Sequence, residues 1–275
     1  MSIKTILVHL AADPDHEERL KVAMDIARRN KAHVNALFVT KPLHMPGEVT
    51  GRAASASYIA STAREAKRRA DQLEQEFADA CDRDKISHTW ICEDGDHIDM
   101  LEKHVHAADL LIVTQVETKF IDEILYPPIP EKLTLISGCP VLVLPIGWTH
   151  STFNTHALVA WKSSRESVRA VRDSLDLLND AEKVTILAVG PEVTDSLPAE
   201  EIQQYLERHG IAAEIRKDFK DKSHYGEIIL AHAKDMGADL IVMGAYGGSR
   251  FREMVLGGTT REIMNGMDVP VLMSH

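Results

Sequence analysis

The sequence predicts two tandem α/β units, each a mostly parallel sheet covered on both faces by helices. Three observations carry this. Short apolar runs alternate with helix-period segments along the whole chain. The order of elements starts again after residue 155. Two segment pairs also recur at one spacing. Residues 109–113 (DLLIV) match residues 239–243 (DLIVM), and Pro140-Val141-Leu142 matches Pro270-Val271-Leu272, each pair 130 positions apart.

The elements follow in order. Residues 4–10 (KTILVHL) read as a first buried strand. Asp13-Pro14-Asp15 is a turn and helix-start signal, with Asp13 suited to a helix cap. Leu20, Met24 and Ala27 then recur at helix spacing, and residues 33–40 read as the second strand. Residues 41–61 carry Pro42, Pro46, Gly47 and Gly51 and then small side chains, a loop composition. Ala63, Ala66, Ala70, Leu73, Phe77 and Ala80 step by three or four along one helix face. Residues 87–92 make a third strand, Ile98, Leu101 and Val105 a helix, and residues 108–114 and 140–144 the fourth and fifth strands.

The second copy runs through a strand at 157–161 and a helical face of Val168, Val171, Leu175 and Leu178. A strand at 182–189, a helix at 198–209 and a short strand at 212–219 follow. A helix at 228–236 and strands at 240–243 and 269–273 complete it. Val34 and Val184 match at a spacing of 150, against 130 later in the chain. The first copy therefore holds about 20 additional residues, for which the 41–61 loop is the natural place. The domains are read as residues 1–148 and 155–275, joined across 147–155.

The organising stretch is residues 244–260, GAYGGSRFREMVLGGTT. It follows the apolar strand at 240–243 and leads to a helix that the T-x-x-E pair Thr259 and Glu262 is expected to open as a capping box. Strand, glycine turn and helix N-terminus is an arrangement that holds phosphate. Glycines permit close approach to the main chain and leave N–H groups to face an anion. The spacing Gly244-x2-Gly247-x9-Gly257 is neither the dinucleotide fingerprint nor the Walker loop. It resembles the ATP-binding signature of the universal stress protein family, G-x2-G-x9-G-[ST]. One position departs: Gly258 stands where the family has Ser or Thr, and Thr259 comes one place later.

The resemblance implies two Rossmann-like, adenine nucleotide alpha hydrolase-like domains, each with a five-stranded mostly parallel sheet. It implies a stress-response protein that binds an adenine nucleotide, ATP foremost, with any Mg2+ arriving alongside the phosphates. The nucleotide-binding residues it points to are Gly244, Gly247, Gly248, Ser249, Gly257, Gly258, Thr259 and Thr260. Lys162, after the first strand of the second copy, suits either a point-charge contact to phosphate or an ordinary solvated loop lysine. Tyr246 is expected at the pocket mouth. Moving the motif back by 130 puts Thr114, Glu117, Pro127, Pro128 and Pro130 where the second copy has Gly244, Gly247, Gly257, Gly258 and Thr260. Proline has no N–H to offer and Glu117 would repel phosphate. Nucleotide binding is therefore expected in the second copy alone. The family's acidic residue after the first strand has Asp13 as its counterpart in the first copy, while the turn 161–165 (WKSSR) contains no acid. That departure and the displaced hydroxyl leave a second reading open, a ligand-independent interaction module.

Composition narrows the rest. Formal net charge is −11, which argues against non-specific nucleic-acid binding. Three cysteines, Cys81, Cys92 and Cys139, with no C-x-x-C, are not a disulfide framework. No stretch approaches a spanning helix and no signal peptide is evident, so the expectation is a cytoplasmic protein without a membrane partner. His97, His104 and His106 lie in an acid-rich stretch but lack ligand spacing, and the acids suit a helix N-terminus. No nucleophile elbow, Walker lysine or positioned base is present. Catalysis is therefore not expected beyond slow incidental ATP hydrolysis. In the family, last strands of two domains pair antiparallel. Residues 141–143 (VLV) and 271–273 (VLM) are apolar enough to pair within one chain, and a homodimer is a further option.

Overall fold

The structure is a computed structural model that describes residues 2–11, 13–40, 56–116, 129–149, 152–190, 197–219, 224–247 and 258–275. Residues 3–113 form one compact unit, and residues 114–275 with 1–2 form another.

In the first unit, β1 (Thr5–Leu10), β2 (His33–Val39), β3 (His88–Glu93) and β4 (Leu110–Thr114) lie in the order β3-β2-β1-β4. Every pairing in it is parallel. Helix α1 (His16–Asn30) follows β1, α2 (Ala56–Asp84) follows β2, and α3 (His97–Val105) follows β3. The central strands are apolar on both faces because helices cover both; Ile6, Leu7, Val8, Ile112 and Val113 are fully buried. Helix α1 buries Arg19, Val22, Ala23, Ile26 and Ala27, one stripe at helix period. It ends at Lys31 in the left-handed region (φ 53°), whose N–H bonds to the Ala27 carbonyl. Helix α2 buries Ala70, Leu73, Phe77 and Cys81, and Phe77 packs on Trp90 and His88 of β3. This helix begins at Ala56, inside the stretch expected to be loop. Residues 56–62 are mostly small and show no apolar stripe, so they gave no periodic signal although alanine favours helix. Asp96 caps α3, its carboxylate accepting from the Ile98 N–H at 3.0 Å, as expected for an acid at that end.

In the second unit, β5 (Val141–Leu144), β6 (His156–Trp161), β7 (Lys183–Val189), β8 (Ala213–Asp218), β9 (Leu240–Gly244) and β10 (Val271–Ser274) lie in the order β5-β10-β9-β6-β7-β8. The β5–β10 pair is antiparallel, with Leu142 opposite Leu272; the other pairs are parallel. Helices α4 (Ile129–Ile136), α5 (Arg165–Asp173), α6 (Leu175–Asp180), α7 (Ala199–Arg208), α8 (Tyr225–Met236) and α9 (Gly258–Gly266) accompany these strands. The single face expected for Val168, Val171, Leu175 and Leu178 is broken at Ser174. Its buried hydroxyl bonds to the Val171 carbonyl at 3.1 Å, and the restarted helix α6 buries Leu177 and Leu178 instead of Leu175. Glycine at Gly237 (φ 64°) ends α8 in the left-handed conformation.

The internal repeat has a structural counterpart in each unit. The Asp109 carboxylate accepts from the N–H groups of Lys4 (2.8 Å) and Thr5 (2.9 Å) at the start of β1. Asp239, 130 positions later, accepts from Thr155 (3.0 Å) and His156 (2.8 Å) at the start of β6. One acid in each copy thus secures the first strand to the residue that precedes the fourth.

Candidate functional site

The glycine region of the second unit is built from three described pieces: the exit of β9, the first turn of α5, and the first turn of α9. At the exit of β9, Ala245 N–H bonds to Ser274 O at 2.9 Å, and Tyr246 takes a left-handed φ of 59°. Tyr246 N–H reaches the Thr260 hydroxyl at 3.4 Å. Thr260 is buried, so its hydroxyl serves the β9 exit. Tyr246 is half-buried, and its phenol oxygen is buried with no hydrogen-bond partner among the described residues. Burial, and then the Glu131 carboxylate, push that phenol well above its ordinary range.

The first turn of α5 packs directly on this exit. Ser164 caps the helix by accepting from the Ser167 N–H at 3.2 Å. A Cβ on Gly244 would stand 2.4 Å from the Ser167 nitrogen and 2.5 Å from the Glu166 carbonyl carbon. The glycine at 244 is thus required for strand–helix contact. A Cβ on Gly247 would stand 2.5 Å from Glu166 Oε2. Glu166 is only 8% exposed, and its other oxygen, Oε1, pairs with Arg165 at 3.2 Å. The turn 161–165 contains no acid, but the next residue supplies one from inside the helix.

Helix α9 begins at Gly258, one residue before the position the capping box predicts. Glu262 does not reach back to Thr259. Its carboxylate accepts from the Gly226 N–H at 2.8 Å and pairs with His224 Nδ1 at 3.0 Å, so it caps α8 from a neighbouring helix. Gly226 allows this approach, since a Cβ there would meet Glu262 Cβ at 2.4 Å. The local T-x-x-E pattern lost to a tertiary partner with free first-turn amides. Gly258 is exposed, with no described atom within 4 Å of where its side chain would be. Lys162 is exposed and has no hydrogen-bond or ion-pair partner among the described residues. Gly248, Ser249 and Gly257 lie outside the described residues, as do Glu117, Pro127 and Pro128 of the first copy.

The helix corresponding to α9 in the first copy is α4. Its first turn holds Pro130, which has no N–H, and Glu131, whose carboxyl is buried. Both features oppose an anion at that helix end.

The end of β1 in the first unit is closed by its own side chains. Asp13 was expected to cap α1 or to face a ligand. Instead Asp15 takes the cap position, and the Asp13 carboxylate accepts both arms of Arg19, at 3.0 and 2.5 Å. Arg19 is 2% exposed and its Nε donates to the His9 carbonyl at 2.7 Å. His9 Nε2 lies 2.9 Å from His97 Nδ1, both rings buried and edge to face. His97 therefore serves the core, and His104 turns to Glu93 at 3.2 Å. No three metal-ligating side chains gather among the described residues, and no described helix is long and apolar enough to cross a membrane.

Burial, then Arg19, then His97 hold the His9 imidazole well below its usual range. The folded unit therefore binds fewer protons than the unfolded chain just below pH 6.5. The contribution of buried, neutral His9 to stability is complete above about pH 6.5 and is lost as pH falls below it. The urea midpoint is expected to drop between pH 7.5 and pH 5.5 in the wild type, and to drop less in His9→Gln. The carboxylates whose range is depressed, such as Glu93 and Glu166, release their contribution only at lower pH, outside this window.

Parallel strands in this order with crossover helices define a Rossmann-like α/β domain. The sequence model of the universal stress protein family matches residues 2–145 and again residues 154–275, and the chain belongs to that family as a tandem member. A universal stress protein from Archaeoglobus fulgidus superposes with a TM-score of 0.78 at 18% identity, over 98% of this chain and 95% of that one. A putative universal stress protein from Pseudomonas aeruginosa superposes with a TM-score of 0.59 at 16% identity, over 99% and 93%. Universal stress protein Slr1230 of Synechocystis is 41% identical over 49 residues, which is 18% of this chain and 17% of the relative.

Proposed function

We propose that this chain is a non-catalytic stress-response protein that binds an adenine nucleotide, ATP foremost, through its C-terminal repeat. The observation that carries the proposal is the start of α9 at Gly258, beside the exit of β9. Gly258 leaves the space beside the helix N-terminus clear of described atoms, next to the glycine-bearing exit of β9. First-turn amides and the helix dipole favour a phosphate there. Lys162 is an available cation, and Mg2+ would accompany the phosphates. The first repeat presents Pro130 and a buried Glu131 at the matching helix end, and its Asp13 is committed to Arg19. Those features support a scaffold or regulatory role for it.

Titration calorimetry with ATP tests the proposal. Gly258→Glu adds bulk and negative charge where no described atom would clash, and an acid at a helix start does not harm the fold. Wild-type protein is expected to bind ATP, and the variant to bind about tenfold more weakly or worse at an unchanged melting temperature. Equal affinities would favour the ligand-independent interaction module, for which the absence of an acid at 161–165 speaks.

A further inference from the structure

We infer that Glu166, through its charge, weakens the hold of the glycine turn on ATP, an effect that a bare nucleoside does not feel. The inference rests on the nucleotide reading above. The space that Gly247 leaves free is taken from within the chain: Oε2 of Glu166 would lie 2.5 Å from a Cβ there, and Ser164 Oγ 3.4 Å. The only cation paired with this carboxylate among the described residues is Arg165. It engages Oε1, the oxygen turned away from the glycine, and its own side chain is largely exposed. The acid stays ionised. Burial raises its proton affinity, but its own backbone N–H, the Ser164 hydroxyl and Arg165 together hold it below the usual carboxylate range. A phosphate approaching the Gly247 backbone therefore meets a like charge at close range, in a partly buried setting where salt screens little. The opposition grows with ligand charge and vanishes for a neutral nucleoside. It acts on the same exit of β9 whose other contacts, through Thr260 and Ser274, are internal.

The test compares ATP with adenosine on the full chain by calorimetry. Glu166→Gln keeps the size of the side chain and removes its charge. It is expected to tighten ATP about tenfold or more while adenosine stays within about twofold. Arg165→Ala, at an exposed position, leaves the carboxylate uncompensated and is expected to weaken ATP alone. A parallel loss of both ligands in Glu166→Gln would mean that Glu166 only holds the turn, and it overturns the inference. So does an unchanged ratio of the two affinities in both variants. If wild type binds ATP and only this ratio fails to move, the nucleotide reading stands alone. If neither wild type nor Glu166→Gln binds either ligand, that reading falls and this inference with it.

Discussion

Gly244→Ala is expected to cost about 3 kcal/mol of stability, measured as a lower urea midpoint at an unchanged m-value. The added methyl would stand 2.4 Å from the Ser167 nitrogen, 2.5 Å from the Glu166 carbonyl carbon and 2.8 Å from Glu166 Cβ. Two of these are backbone atoms, and the turn they belong to is fixed by the Ser164 cap and by the Val168 N–H bond to Ser164 O at 3.1 Å. A helix backbone cannot step aside as a side chain can, so β9 and α5 must separate. Gly247 offers the contrast. Its nearest neighbour is the far end of Glu166, which can rotate away, so Gly247→Ala should be far milder in stability. A midpoint for Gly244→Ala equal to wild type would refute the packing argument and return Gly244 to a purely ligand-facing role.

Arg19→Met should be at least as damaging, at about 3–5 kcal/mol. Methionine keeps much of the volume but removes every donor. The Asp13 carboxylate then loses two charge-assisted bonds, and the His9 carbonyl loses the Nε donor at 2.7 Å. With the side chain of Arg19 2% exposed and that of Asp13 15% exposed, water replaces those bonds poorly. The Asp13→Asn/Arg19→Met double variant should recover a substantial part of the loss, because the uncompensated charge is gone. Strict additivity of the two single changes would show that the pair does not act as a unit. This outcome also bears on function, since a ligand for Asp13 would have to displace a buried guanidinium.

Some of this protein can be derived from residue order alone, because the responsible forces act over one or a few turns. Apolar runs such as Ile6 to Val8 and Leu240 to Met243 must be buried, so strands were legible wherever they are covered on both faces. The 130-residue spacing of Asp109 and Asp239 disclosed the repeat before their shared task of holding the first strand was visible. The family and its paired α/β units followed from that spacing and from the glycines.

Other features depend on groups brought together from distant positions, and no local pattern encodes them. Glu262 could satisfy Thr259 or Gly226, and only the packing of α9 beside α8 determines that it caps Gly226. Asp13 could cap a helix, meet a ligand or pair with Arg19, and the depth at which α1 seats Arg19 settles the matter. Gly244 and Gly247 read alike in sequence, yet one faces a helix backbone and the other a carboxylate. A side chain's local chemistry limits the partners it can take. The choice among those partners belongs to the tertiary structure, because burial makes an unmet polar group or an overlapping atom cost more than any local preference can offset.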